Sequence, residues 1–144
     1  MLTAIIAVLG TLAGVAITSV YQHRAARTNR QDTRRAEGLA ALESLAAALA
    51  EHRRAMWVRE DLRLRGQDWS AARAESHTTR AAITAPLTRV QILLPEAAGH
   101  AEAAAQAVYE LRDADDHAAL TAARNNAIRK ADELIPATGT ALAA

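Results

Sequence analysis

Histidines and carboxylates are the side chains in this sequence whose spacing could support proton or metal chemistry. Five histidines are present: His23, His52, His77, His100 and His117. Glu96 and His100 stand four residues apart, as do Asp113 and His117, so each pair shares one face of a helix. Neither pair has the Glu-x-x-His spacing that metal sites in helical bundles use. Each is a single pair near a helix start, and surface polar contacts account for both. No Ser, His and Asp fall into a nucleophilic constellation. No Gly-rich phosphate loop or dinucleotide fingerprint occurs. The sequence therefore predicts no catalytic, metal or cofactor residue and no enzyme.

The elements that would position these groups are helices. Alanine fills about a quarter of the 144 positions, and Phe and Cys are absent. Ala, Leu, Glu and Arg favour helix, while strand-forming residues are sparse beyond the N-terminus. Without Cys there is no disulfide framework and no thiolate metal site. The net charge is only +1 but is unevenly spread. Residues 22–35 carry five arginines against Asp32, whereas residues 96–144 carry four basic and eight acidic side chains.

The first 22 residues contain no charged side chain. As a helix, Leu2 to Tyr21 would extend ~30 Å, the thickness of a hydrocarbon core. This predicts a transmembrane anchor over residues 1–22. A cleaved signal peptide would carry positive charge ahead of its apolar run, and here the charge follows it. The arginines then place the following chain in the cytoplasm and the N-terminus outside. Ala7, Gly10, Thr11, Gly14 and Thr18 form a stripe of small residues, the kind of face along which membrane helices approach each other. This stripe is the expected association face of a homo-oligomer. Residues 23–35 form a basic juxtamembrane segment, with Arg24, Arg27, Arg30, Arg34 and Arg35 available to anionic lipid headgroups. The segment has no aromatic residues for base stacking, which disfavours nucleic acid.

Residues 36–135 read as a cytoplasmic four-helix bundle of two antiparallel hairpins, giving an all-α fold. A first helix from about Thr33 to Arg65 carries Leu39, Leu42, Leu45, Ala46, Leu49 and Met56 at helical spacing. Gly66 stops it, and Asp68 caps a second helix beginning at Trp69. Folding about Gly66 opposes residues whose numbers sum to ~132 and brings Leu42, Leu45 and Leu49 against Val90, Leu87 and Ile83. Trp57 and Trp69 are expected at the hairpin tip. Pro95 opens a third helix with Ala97, Ala101, Ala104, Ala105, Val108 and Leu111 inside. The acidic run Asp113–Asp116 ends it and caps a fourth, carrying Leu120, Ala123, Ala127, Ile128, Ala131 and Leu134. Pro136 is expected to stop that helix, leaving residues 136–144 as a flexible tail.

Two stretches, LTAIIAVLGTLAGVAITSVYQHRAARTNR and LTRVQILLPEAAGHAEAAAQAV, carry a family resemblance. In layout the chain resembles small actinobacterial KilB-like proteins, with one N-terminal span, an Arg-rich stretch and an Ala-rich helical cytoplasmic region. The resemblance implies a membrane accessory protein in conjugative plasmid spread and specifies no site residue. The leading reading is a non-enzymatic membrane-anchored scaffold with an unidentified cytoplasmic protein partner. The alternative is an oligomeric holin- or toxin-like effector that perturbs the membrane. The small-residue stripe yields a direct test. Gly10→Leu combined with Gly14→Leu is expected to weaken self-association in a transmembrane reporter assay.

Overall fold

The computed structural model describes the backbone of residues 2–143 and the side chains of residues 28–141. Among the described residues there are four helices: α1 (Leu2–Leu64), α2 (Ser70–Leu93), α3 (Ala98–Tyr109) and α4 (His117–Ala143). A 3₁₀ turn, Pro95–Ala97, leads into α3. Backbone contacts divide the chain into two units, Met1–Ala36 and Glu37–Ala144. The uncharged run over residues 2–21, the stripe from Ala7 to Thr18, and Arg24 and Arg27 lie outside the residues whose side chains are described. Among the described residues no helix is long and apolar enough to cross a membrane. Arg30, Arg34 and Arg35 are exposed.

The second unit folds about its turns. Gly66 ends α1 with φ +65°, a left-handed conformation that glycine adopts without a Cβ clash. Its N–H donates to the Arg63 carbonyl, and the Gln67 N–H donates to the Leu62 carbonyl, both at 3.0 Å. These two bonds satisfy carbonyls that the helix end would otherwise leave open. The Asp68 carboxylate accepts from the Ser70 N–H at 2.9 Å, so α2 starts one residue later than expected. His52 on α1 meets Thr79 on α2 within one residue of the predicted register. Leu45, Leu49, Ile83 and Val90 are fully buried along the same seam, with Leu42 and Leu87 partly so.

The face of α1 differs in detail. Leu39 and Ala46 point outward, and the buried stripe runs through Ala41, Leu45, Leu49, His52, Met56, Arg59 and Glu60. Ala and Leu surround this helix on most sides, so spacing alone does not fix its rotation. Trp57 is partly buried and packs against the core cluster. Arg124 of α4 stacks over its ring at 5.4 Å, while Trp69 receives Arg59 and Arg73.

All six inner residues expected for the third helix are buried, and α3 packs on both α2 and α4. Its alanines allow close helix approach and contribute little apolar area each. Asp116 accepts from the Ala119 N–H at 2.7 Å and caps α4. Pro136 does not stop α4, which continues to Ala143. The proline forfeits one backbone hydrogen bond, but Leu134 and Thr138 on either side of it are buried. Thr138 Oγ1 donates to the Leu134 carbonyl at 2.9 Å, and Thr140 Oγ1 donates to the Pro136 carbonyl at 3.1 Å. Tertiary burial holds the helix through the proline, so the expected break at Pro136 is replaced by a packed turn.

The tight α3 seam is sensitive to volume. Ala104→Leu is expected to destabilise the protein by about 1–3 kcal/mol in urea unfolding. Ala103→Leu, on the exposed face of the same helix, should stay within ~0.5 kcal/mol of wild type.

Candidate functional site

The inner stripes of α1 and α2 change character along their length. Near the open end of the hairpin they carry Leu45, Leu49, Ile83 and Val90. Toward the Gly66 turn the same positions hold His52, Arg59 and Glu60 on α1, with Ser76 and Thr79 on α2. Buried polar groups must be paired or they destabilise the fold. Arg59 donates to Ser76 Oγ at 3.3 Å, and its Nε stands 3.3 Å from Glu60 Oε1 as an ion pair without hydrogen-bond alignment. Glu60 is fully buried and accepts from Arg63 Nε at 2.6 Å. Arg63 also donates to the Ala114 carbonyl in the α3–α4 loop. One carboxylate therefore ties two arginines of α1 to α2 and to the next hairpin.

A cavity of about 180 Å³ opens beside this network. Its wall includes His52, Arg59, Ser76, His77, Arg80, Tyr109 and Arg112. Arg80 lies over the Tyr109 ring at 3.9 Å, and His52 meets the same ring edge-on with centroids 5.7 Å apart. Thr79 Oγ1 lies 3.1 Å from the Glu75 carbonyl, to which it donates. The same hydroxyl is hydrogen-bonded to His52 Nδ1 at 2.9 Å. His52 Nε2 is left buried and without a partner in the protein. Burial, followed by the charges of Arg80 and Arg59, lowers the His52 pKa from 6.5 to about 4. A second hollow of about 560 Å³ lies between α1 and α4, lined by Ala50, Glu51, Arg53, Arg54, Trp57 and Arg124.

The remaining candidates are dispersed. His77 reaches the cavity wall, while His100 is exposed. His117 pairs with Asp61 of α1 at 3.1 Å rather than with Asp113, which pairs with Arg112 at 3.1 Å. Sequence reasoning missed the buried network. Its signal was the position of His52, Arg59 and Glu60 on the continuation of the stripe through Ala41, Leu45 and Leu49.

His52 gives the fold a defined acid response. The unfolded chain protonates this histidine near pH 6.5, whereas the folded protein does so only near pH 4. Protons therefore favour unfolding as pH falls through that window, and the contribution is fully present above it. The loss should approach about 3 kcal/mol by pH 4. Urea unfolding across pH 7 to 4 is expected to show a shallower decline for His52→Gln than for wild type.

A family model described as KilB plasmid transfer protein matches residues 39–142. The chain is also 55% identical over 140 residues to Protein KilB of Streptomyces lividans, covering 95% of each chain. No solved structure matches it. The matched region begins just before the buried seam at Ala41 and ends beyond Thr138, taking in the whole polar network. The chain belongs to the KilB plasmid transfer protein family.

Proposed function

We propose that this protein is a membrane-anchored, non-catalytic helical interaction protein that acts as an accessory factor in plasmid spread. The observation that carries the reading is similarity to a KilB protein along 95% of both chains. A match over 95% of each chain spans both the uncharged run and the helical unit of this chain. The run over residues 2–21 has the length of a membrane span, and the arginines after it orient the chain with its bundle in the cytoplasm. Arg30, Arg34 and Arg35 are exposed and available to anionic headgroups. Within the helical unit, His52 has a threonine rather than a carboxylate on Nδ1, which argues against a triad-like base. The unit's role is to present a helical surface to a cytoplasmic protein, with self-association through the Gly10–Gly14 face.

Fractionation and functional assays test this reading together. The full chain should stay with membranes after alkaline carbonate extraction, and a variant lacking residues 1–22 should be released. A reporter fused at Ala144 should be active only in the cytoplasm. Deleting the gene from its plasmid should reduce plasmid spread between cells. Rapid depolarisation on induced expression would overturn the scaffold role in favour of a membrane-perturbing effector.

A further inference from the structure

The hollow between α1 and α4 gathers more positive charge than its own residues neutralise. Arg53, Arg54 and Arg124 line it against a single carboxylate, Glu51, with Trp57 as the aromatic part of the wall. Arg54 pairs with Glu51 at 2.7 Å, but both side chains are more than half exposed. Such a pair contributes little to stability and gives way readily to a competing carboxylate. Arg53 and Arg124 have no carboxylate partner among the described residues. The Arg124 guanidinium is held in place by the Trp57 ring, 5.4 Å from its centroid. Guanidiniums present planar pairs of donors that match the two oxygens of a carboxylate.

Apolar surface adjoins these charges. Trp57 packs against the core cluster and also lines the hollow. Val58 is 46% exposed and lies four residues beyond Arg54, on the same face of α1. Tryptophan and arginine are the residues that concentrate binding energy at protein interfaces. The volume, about 560 Å³, admits a bulky apolar side chain together with flanking carboxylates. Nucleic acid fits less well. Trp57 already carries Arg124 and contacts the core, which leaves little ring surface for a stacked base.

We propose that this hollow docks an acidic segment of the protein partner, one that sets an apolar side chain among several carboxylates. The assignment rests on the interaction-protein reading above and gives the partner a chemistry. The apolar side chain packs on Trp57. The carboxylates accept from Arg53 and Arg124, and Arg54 exchanges Glu51 for another.

Titration calorimetry on the full chain in detergent micelles tests the assignment with synthetic peptides and DNA. The peptide acetyl-EELLEE-amide should bind, acetyl-EEGGEE-amide should bind more weakly, and acetyl-KKLLKK-amide should not bind. Binding of the acidic peptide should shift the indole N–H resonance of Trp57 and leave that of Trp69 in place. Arg53 has no partner to lose, so Arg53→Gln should keep the native thermal unfolding midpoint. It should weaken the peptide roughly tenfold, the loss expected for one charge-assisted bond. Arg89→Gln, an exposed arginine that does not line the hollow, should leave the affinity unchanged. No binding of the acidic peptide, an unmoved Trp57 resonance, equal losses in Arg53→Gln and Arg89→Gln, or tighter binding of a duplex oligonucleotide would overturn the proposal. In cells, Arg53→Glu should reduce plasmid spread with membrane retention unchanged. If deleting the gene leaves spread intact, the interaction-protein reading fails. If deletion reduces spread and Arg53→Glu does not, the docking site alone fails.

Discussion

The carboxylate of Glu60 is fully buried, and the architecture of the second unit is organised around it. A carboxylate removed from water is tolerated only when cations and donors replace the water it has lost. Arg63 supplies a short charge-assisted hydrogen bond, and Arg59 supplies a second charge. Each arginine then uses its remaining donors on a different neighbour, Ser76 of α2 for Arg59 and the Ala114 carbonyl for Arg63. The alignment of α1 with α2, and of α1 with the α3–α4 loop, is thereby set from one buried point. Apolar packing alone would set it less sharply, because alanine surfaces can slide past one another with little change in buried area.

The rest of the unit divides its work between two kinds of contact. At the open end of the first hairpin, Leu45, Leu49, Ile83 and Val90 provide aliphatic burial. Against α3 the contacts are made by Ala101, Ala104, Ala105 and Ala107, with Val108 and Leu111 as the larger groups. Arg–aromatic stacking links the layers, with Arg124 on Trp57 and Arg80 on Tyr109. Tyr109 is central to this arrangement because it takes a cation on its face and the His52 ring at its edge.

Much of this fold was legible in the sequence wherever one element type and one clear terminator coincided. Gly66, Asp68, Pro95 and Asp116 each act through local backbone chemistry, and each does in the structure what its type implies. The inner face of α3 was readable because its apolar residues repeat at strict helical spacing. The rotation of α1 was not, because leucines at 39, 42, 45 and 49 and alanines around them fit more than one face. The polar network was hidden for a related reason. His52, Arg59 and Glu60 look like surface residues by type, and only the positions they occupy reveal that they are inside. Pro136 shows the opposite failure. Its local preference to end a helix is real, and the burial of Leu134 and Thr138 outweighs it.

That continuation of α4 past Pro136 changes what the end of the chain is. Residues beyond Ile135 look expendable by composition, being mostly Ala, Thr and Gly and opening on a helix breaker. Thr138 is nonetheless an interior residue, and Ala141 packs against the core. A cut after Ile135 would leave the bundle with an unfilled interior seam rather than a trimmed tail. The last helical turns are part of the wall of the fold, and fusions or tags belong after them.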